Sequence, residues 1–205
     1  MFKVETSSEL FLMSAQGPPP AGVGESVTAA AAAPPSAPEA ELVAAVRGGD
    51  REAFDRLYGL YAPMVHGILL ARVPHGEVSD LVQDVFLVAF RKLGSLREPS
   101  RFGPWVAMIT RNRAMDFYRR ARATEELREE LAHAERPSAE AAEALAAIRE
   151  LPEAYRETLV LRLVEGMTGP EIAARTGLQP ASVRVNLHRG MKLLREKLGT
   201  KGSEK

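Results

Sequence analysis

The sequence predicts an all-α protein: two small helical domains joined by a flexible acidic linker, the second containing a short helix, a glycine turn and a longer basic helix. Three observations lead there. Apolar residues recur at helical spacing from about Glu39 onward, and no stretch alternates as a strand would. A Glu-rich segment at 123–140, broken by Pro137-Ser138, separates two such regions. Near the C-terminus Gly177 divides "PEIAART" from "PASVRVNLHRGMKLLREKL".

The elements follow in order. Residues 14–38, "SAQGPPPAGVGESVTAAAAAPPSAP", carry too little apolar surface to offset the entropy of ordering, so residues 1–38 are expected to be a disordered tail. From Glu39, Leu42, Val43 and Val46 share a helical face, and Gly48-Gly49 stop it. Asp50 is an N-cap for a helix striped by Phe54, Leu57, Tyr58 and Tyr61. Pro63 is expected to kink or break that helix, because it lacks the backbone donor and crowds the preceding turn. "MVHGILLARV" resumes the pattern and Pro74-His75-Gly76 reads as a loop. A long helix is expected from Ser79 to Leu93, burying Leu81, Val82, Val85, Phe86, Ala89, Phe90 and Leu93, with Asp80, Gln83, Asp84 and Arg91 off the stripe. "SLREPSRFG" is a loop, and Pro104 suits the first turn of a helix reaching Arg122.

After the linker, helical spacing returns at Ala141 and runs to Pro152, which opens "PEAYRETLVLRLVEG". Two last helices are expected at 170–176 and 180–197. Thr168 can cap the first, and Gly177 supplies a left-handed turn at no steric cost. Ala173 is small enough for a close crossing, and Val183, Leu187 and Leu194 anchor the second helix. The domains are thus placed at 39–122 and 141–198, with a short tail at 199–205. The arrangement at 168–198 is a helix-turn-helix, whose second helix is built to enter the major groove of DNA.

The net charge of zero conceals a segregation. Residues 101–122 hold six Arg against one Asp; residues 123–143 hold seven Glu against two Arg; residues 184–201 hold six Lys and Arg against one Glu. Two basic segments flanking an acidic one speak of partners rather than of fold. There is no cysteine, which excludes disulfides and thiolate metal sites. No apolar run approaches the ~18–20 residues of a membrane span, so no membrane insertion is expected, and a cytoplasmic location fits. His66, His75, His133 and His188 are scattered, and no phosphate loop or nucleophile motif is present. Neither a cofactor, a metal nor an enzymatic activity is therefore expected.

Two constellations carry function. On the last helix Ser182, Arg184, Val185, His188 and Arg189 are expected to face DNA bases, with Lys192 and Arg195 on phosphates. In "FGPWVAMITRNRAMDFYRRARA" Trp105, Phe117 and Tyr118 interleave with Arg111, Arg113, Arg119, Arg120 and Arg122. Aromatic faces stack on unpaired bases and cations follow the backbone, the combination single-stranded binding needs. On the residues alone, two competing readings stay open: a stand-alone helix-turn-helix regulator with a helical sensing or dimerisation domain, which needs no such basic-aromatic surface, and a helical enzyme, which needs converging polar groups.

"DLVQDVF" followed by "FGPWVAMITRNRAMDFYRR" resembles region 2 of bacterial sigma factors, and "LPEAYRETLVLRLVEGMTGPEIAARTGLQPASVRVNLHRGMKLLREKL" resembles their region 4. Their order and spacing resemble the extracytoplasmic-function subgroup, which keeps only these two domains. The resemblance implies core RNA polymerase as partner, through its largest-subunit coiled coil and its flap, together with promoter DNA, duplex and single-stranded, and an anti-sigma factor. It implies that Asp80, Gln83, Asp84 and Arg91 contact polymerase. It implies a minus-10 surface of Trp105, Arg111, Asn112, Arg113, Tyr118, Arg119 and Arg120, with Asn112 near a pocket for a flipped base. Arg162, Ser182, Arg184, Val185, His188, Arg189 and Lys192 are implied at the minus-35 element. "MTGPEIA" departs from the family's commoner "SYEEIA", and the Pro/Ala-rich leader has no counterpart in the minimal pattern.

Overall fold

A computed structural model describes residues 37–124 and 139–202. The expected tail and most of the expected linker lie outside them. Every regular element among the described residues is a helix.

Helix α1, Ala37–Arg47, buries Leu42, Val43 and Val46. Gly49 turns the chain at φ 93°, and the Asp50 side chain accepts a hydrogen bond from the Ala53 amide at 3.1 Å, capping α2, Arg51–Leu70. Here one expectation is corrected: α2 runs through Pro63. The proline and Gly59, whose carbonyl loses its partner, both lie on the exposed face, where water can serve that carbonyl. Met64, Val65, Ile68 and Leu69 beyond the proline are fully buried. At about 1.5–3 kcal/mol for each such side chain, their burial outweighs the ~3 kcal/mol penalty of an interior proline.

The next helix also begins earlier than expected. Helix α3 spans His75–Lys92 with Pro74 at its N-cap, so the expected Pro74–Gly76 loop is mostly first turn. Val78, 2% exposed, pulls that turn onto the core. Leu93–Ser95 continue as a 3₁₀ turn, and the Arg47 guanidinium donates to the carbonyls of Leu93 (3.1 Å) and Leu96. A second 3₁₀ turn, Pro99–Arg101, leads into α4, Phe102–Thr124, with Pro104 in its first turn as expected. Leu57, Met64, Ile68, Val85 and Val106 are the fully buried centre of this first half.

The second half comprises α5 (Ala139–Arg149), α6 (Glu153–Leu163), α7 (Gly169–Thr176) and α8 (Pro180–Gly202), the last reaching past the expected end at residue 197. Thr168 and Glu171 form a reciprocal capping box at the start of α7. Gly177, at φ 75°, turns the chain into α8. Leu159, Ile172 and Val183 are buried between α6, α7 and α8. The closest approach falls at Gly190, where an added Cβ would lie 3.0 Å from Leu159 Cδ1 and 3.1 Å from Tyr155 Cβ.

The halves touch directly. At Gly67 in α2 a Cβ would lie 2.8 Å from Leu161 Cδ2 of α6, and at Gly103 in α4 it would lie 2.8 Å from the Arg175 carbonyl oxygen of α7. Polar contacts surround these points. His66 Nδ1 meets Glu165 Oε1 at 2.6 Å, Arg149 Nη2 donates to the carbonyls of Leu70 (3.0 Å) and Val73 (2.7 Å), and Arg175 Nη1 donates to Leu60 O at 3.0 Å.

Candidate nucleic-acid interface

On α3, Asp80, Gln83 and Arg91 are exposed and Asp84 is half-exposed, as their positions off the apolar stripe require. Two apolar side chains join them. Leu87 is 54% and Phe90 52% exposed, so the expectation that Phe90 is buried is corrected. Its ring packs edge-on against Phe54, centroids 5.1 Å apart, and shares a shallow depression with Val46, Arg47 and Leu93. Leu87 follows Gln83 by four residues and Asp84 by three, so helical spacing alone puts it on the same face. Polar residues beside an exposed leucine and phenylalanine make a surface suited to another protein.

Helix α4 divides its expected residues between two jobs. Trp105 is half-buried against Phe102, ring centroids 5.9 Å apart. Arg113 Nε sits 3.3 Å from Asp84 Oδ2, bracing α4 against α3. Arg111 faces the second half, where its guanidinium forks onto the Glu157 carboxylate, Nη2–Oε1 2.6 Å and Nε–Oε2 3.1 Å. The remainder face outward. Asn112, Met115, Asp116, Tyr118 and Arg119 line one open depression, and Arg120 is exposed. Arg119 Nη2 contacts Asp116 Oδ1 at 2.8 Å. The Tyr118 ring stands edge-on to Phe117 at 5.3 Å, and its hydroxyl donates to Arg72 O at 2.7 Å. Met115, 67% exposed at the centre of this surface, was not singled out from sequence.

On α8 the sequence spacing gives one continuous face. Ser182, Val185, Arg189 and Lys192 recur at helical intervals, with Arg184, His188 and Arg195 alongside, and all are exposed. Val183, Leu187 and Leu194 hold the opposite face down. Lys192 Nζ is 3.9 Å from Glu196 Oε1, a loose surface pair. Arg162 differs: its Nη1 donates to Met167 O at 3.1 Å, bracing the turn before α7.

Glu157 is the residue that sequence reasoning missed. It is 5% exposed and pairs with Arg111 and with Arg72, whose Nη2 lies 2.9 Å from Oε2. Burial raises its carboxyl pKa, but the hydrogen bonds and charges of Arg111 and then Arg72 outweigh that, holding it below the ordinary carboxylate value. A depressed pKa stabilises the fold above the unfolded value of about 4.5 and loses that contribution as pH falls through the lower folded value. Glu157 is flanked on its own helix by Glu153, which Arg72 also contacts. The melting temperature of the wild-type chain is therefore expected to fall more steeply below about pH 4.5 than that of Glu157→Gln, measured by circular dichroism across an acid series. Parallel curves would contradict the pairing.

Among the described residues no group of His, Asp or Glu could hold a metal ion, and no helix is long and apolar enough to cross a membrane.

A capped short helix, a left-handed glycine and a long helix with one basic face define a helix-turn-helix DNA-binding protein. Residues 57–124 match the family model for sigma-70 region 2, and residues 141–194 match that for sigma-70 region 4. The chain is 35% identical over 162 residues to the RNA polymerase sigma factor CarQ of Myxococcus xanthus, covering 75% of this chain and 93% of that one. It is 29% identical over 188 residues to the ECF RNA polymerase sigma-E factor of Escherichia coli (strain K12), covering 77% and 92%. Its fold is similar to that of CnrH, solved in complex with the cytosolic domain of CnrY, at a TM-score of 0.58 and 27% identity over 80% of this chain and 98% of that one. The sigma factor RpoE, solved with the anti-sigma factor NepR from Bartonella quintana, shares the fold at a TM-score of 0.51 and 22% identity, over 71% and 96%. The chain belongs to the extracytoplasmic-function sigma factors of the sigma-70 family, DNA-binding initiation factors that recognise promoters.

Proposed function

We propose that the chain directs core RNA polymerase to its promoters through three surfaces, acting as a binding and strand-capturing factor and not as a catalyst, in the cytoplasm. The α3 face of Asp80, Gln83, Asp84, Leu87 and Arg91 docks on the coiled coil of the largest polymerase subunit, and the second domain, 141–198, engages the flap. The α8 face of Ser182, Arg184, Val185, His188, Arg189 and Lys192 reads the minus-35 duplex, with Arg162 holding the approach to α7. On α4, Asn112, Tyr118, Arg119 and Arg120 take the opened minus-10 strand. Trp105 supports that surface, and Arg111 and Arg113 join it when their acidic partners release them. The observation that carries the reading is the pairing of two chemically different nucleic-acid surfaces on one chain: a basic helix on a helix-turn-helix, and an exposed basic-aromatic helix suited to unpaired bases. A stand-alone regulator needs only the first. CnrH, similar in fold, is solved with another protein, the cytosolic domain of CnrY, and an anti-sigma partner that binds this chain would cover these surfaces until release.

Run-off transcription with purified core polymerase over a promoter library tests this. Addition of the chain is expected to create specific initiation; unchanged initiation across the library contradicts it. Within that assay Asn112→Ala is expected to lower open-complex formation about tenfold, because extruding a base costs a few kcal/mol that its pocket must offset. Core binding should stay at the wild-type level. Equal loss of both would deny Asn112 a strand-specific role.

A further inference from the structure

The first half of the chain directs two guanidinium groups at one point in the second. Arg72, just past α2, and Arg111, on α4, both close on Glu157 of α6, with side-chain exposures of 19%, 26% and 7%. Arg111 uses the two-pronged geometry that guanidinium groups use equally for carboxylates and phosphates. Arg72 is incompletely served. Its Nη1 reaches Glu153, itself 69% exposed, and its Nε is buried with no hydrogen-bond partner. Two cations thus converge on a single buried carboxylate, with a donor left unused.

The place matters as much as the charge. Arg111 is the residue before Asn112 on α4. The Tyr118 hydroxyl is bonded to the Arg72 carbonyl, and Arg72, Met115, Tyr118, Arg156 and Glu157 line one cleft between the halves. Met115 and Tyr118 also line the depression that contains Asn112. The two-arginine cradle is therefore continuous with the surface assigned above to the opened strand, and α6 lies across it.

We propose that Glu157 acts as a stand-in for a DNA backbone phosphate: it occupies a cradle formed by Arg72 and Arg111, keeps the two halves closed, and is exchanged for a phosphate of the unpaired promoter strand when α6 withdraws. This rests on the sigma-factor reading of α4 and adds Arg72 and Glu157 to it. Removing one member of a buried ion pair leaves a charge stranded, whereas exchanging carboxylate for phosphate leaves both guanidinium groups paired. The closed arrangement thus opposes strand binding without the arginines ever being left unpartnered.

The test uses the full-length chain without polymerase and a fluorescein-labelled single-stranded DNA 12-mer of random sequence, by fluorescence anisotropy over a salt series. Glu157→Gln is expected to bind about tenfold more tightly than wild type, since affinity scales with the population of the competent state. Its log K against log salt slope should steepen by about 0.7, the increment for one more phosphate on a single strand. Adding Arg72→Gln and Arg111→Gln together to Glu157→Gln should return both quantities to wild-type values. A folded Glu157→Gln with unchanged affinity and slope overturns the proposal, as does a gain that survives loss of both Arg72 and Arg111. Should circular dichroism show Glu157→Gln unfolded, Glu153→Gln decides: it removes one of the two carboxylates that hold Arg72 and leaves Glu157 in place, so a smaller gain of the same sign supports the cradle and no gain overturns it. Wild-type run-off transcription separates the two levels. Normal initiation with no gain in the variants sinks only the cradle, while absence of initiation sinks the sigma-factor reading itself.

Discussion

Gly177→Val is expected to destabilise the helix-turn-helix by about 3 kcal/mol and to abolish its binding to duplex DNA. Two independent penalties add. Gly177 sits at φ 75°, a left-handed conformation that costs an L-residue roughly 1–2 kcal/mol and a β-branched one more. A Cβ at this position would also lie 2.9 Å from Pro104 Cβ, closer than packed carbons approach. The turn cannot relax freely, because the Gly177 amide closes α7 on the Ala173 carbonyl at 3.0 Å while Val183, 1% exposed, fixes the start of α8. For a chain of this size a loss of about 3 kcal/mol corresponds to roughly 6–12 °C in melting temperature. Gly177→Asn should fall by less, since asparagine tolerates the left-handed region, though the contact with Pro104 persists. Circular dichroism melts alongside electrophoretic shifts of a minus-35 duplex check both variants. A Val variant that melts with the wild type would show the turn can be remade.

How legible this chain is from sequence depends on the range of each interaction. The caps were plain: Asp50, Thr168 and Gly177 act within a turn of their own positions, so local chemistry decides them. Pro63 and the start of α3 were misread for one shared reason. A proline or a Pro-His-Gly run reports a local preference, while the outcome depends on residues buried on either side, Met64 to Leu69 in one case and Val78 in the other. Phe90 shows the converse: it matches the apolar stripe in spacing, but lies at its edge, where Phe54 packs edge-on and about half of the ring stays exposed. Of the candidate surfaces, the exposed basic face of α8 follows directly from helical period and charge. The placement of Arg111 and Arg113 does not. Both read as free cations in a basic run, and their partners Glu157 and Asp84 come from other helices, 46 and 29 positions away. Glu157 gave no local sign, being one glutamate in "PEAYRETLVL". A buried ion pair between domains is a property of packing, and only the tertiary structure brings its members together.

The α8 face makes a second strong prediction, because it should separate reading from gripping. Arg184→Ala with Arg189→Ala is expected to cut initiation at a cognate promoter about a hundredfold, each arginine being worth roughly 1–3 kcal/mol of base discrimination. Lys192→Ala with Arg195→Ala lies further along the same exposed helix and should behave differently. Contacts to phosphate carry no sequence information, so this pair should weaken cognate and scrambled duplexes alike and reduce the salt slope by about 2. The contrast is anchored in the fold. Val183 and Leu187 press the N-terminal turns of α8 against α7, aiming positions 184 and 189 from the end that enters a major groove first, whereas 192 and 195 follow one to two turns later. On the proposed reading, Val185, 43% exposed between the two arginines, would offer its apolar surface to a thymine methyl group. Titrating cognate and scrambled duplexes with each double variant at several salt concentrations distinguishes the roles. If both variants lose affinity for the two duplexes in the same proportion, α8 binds DNA by charge alone and base recognition lies elsewhere on the chain.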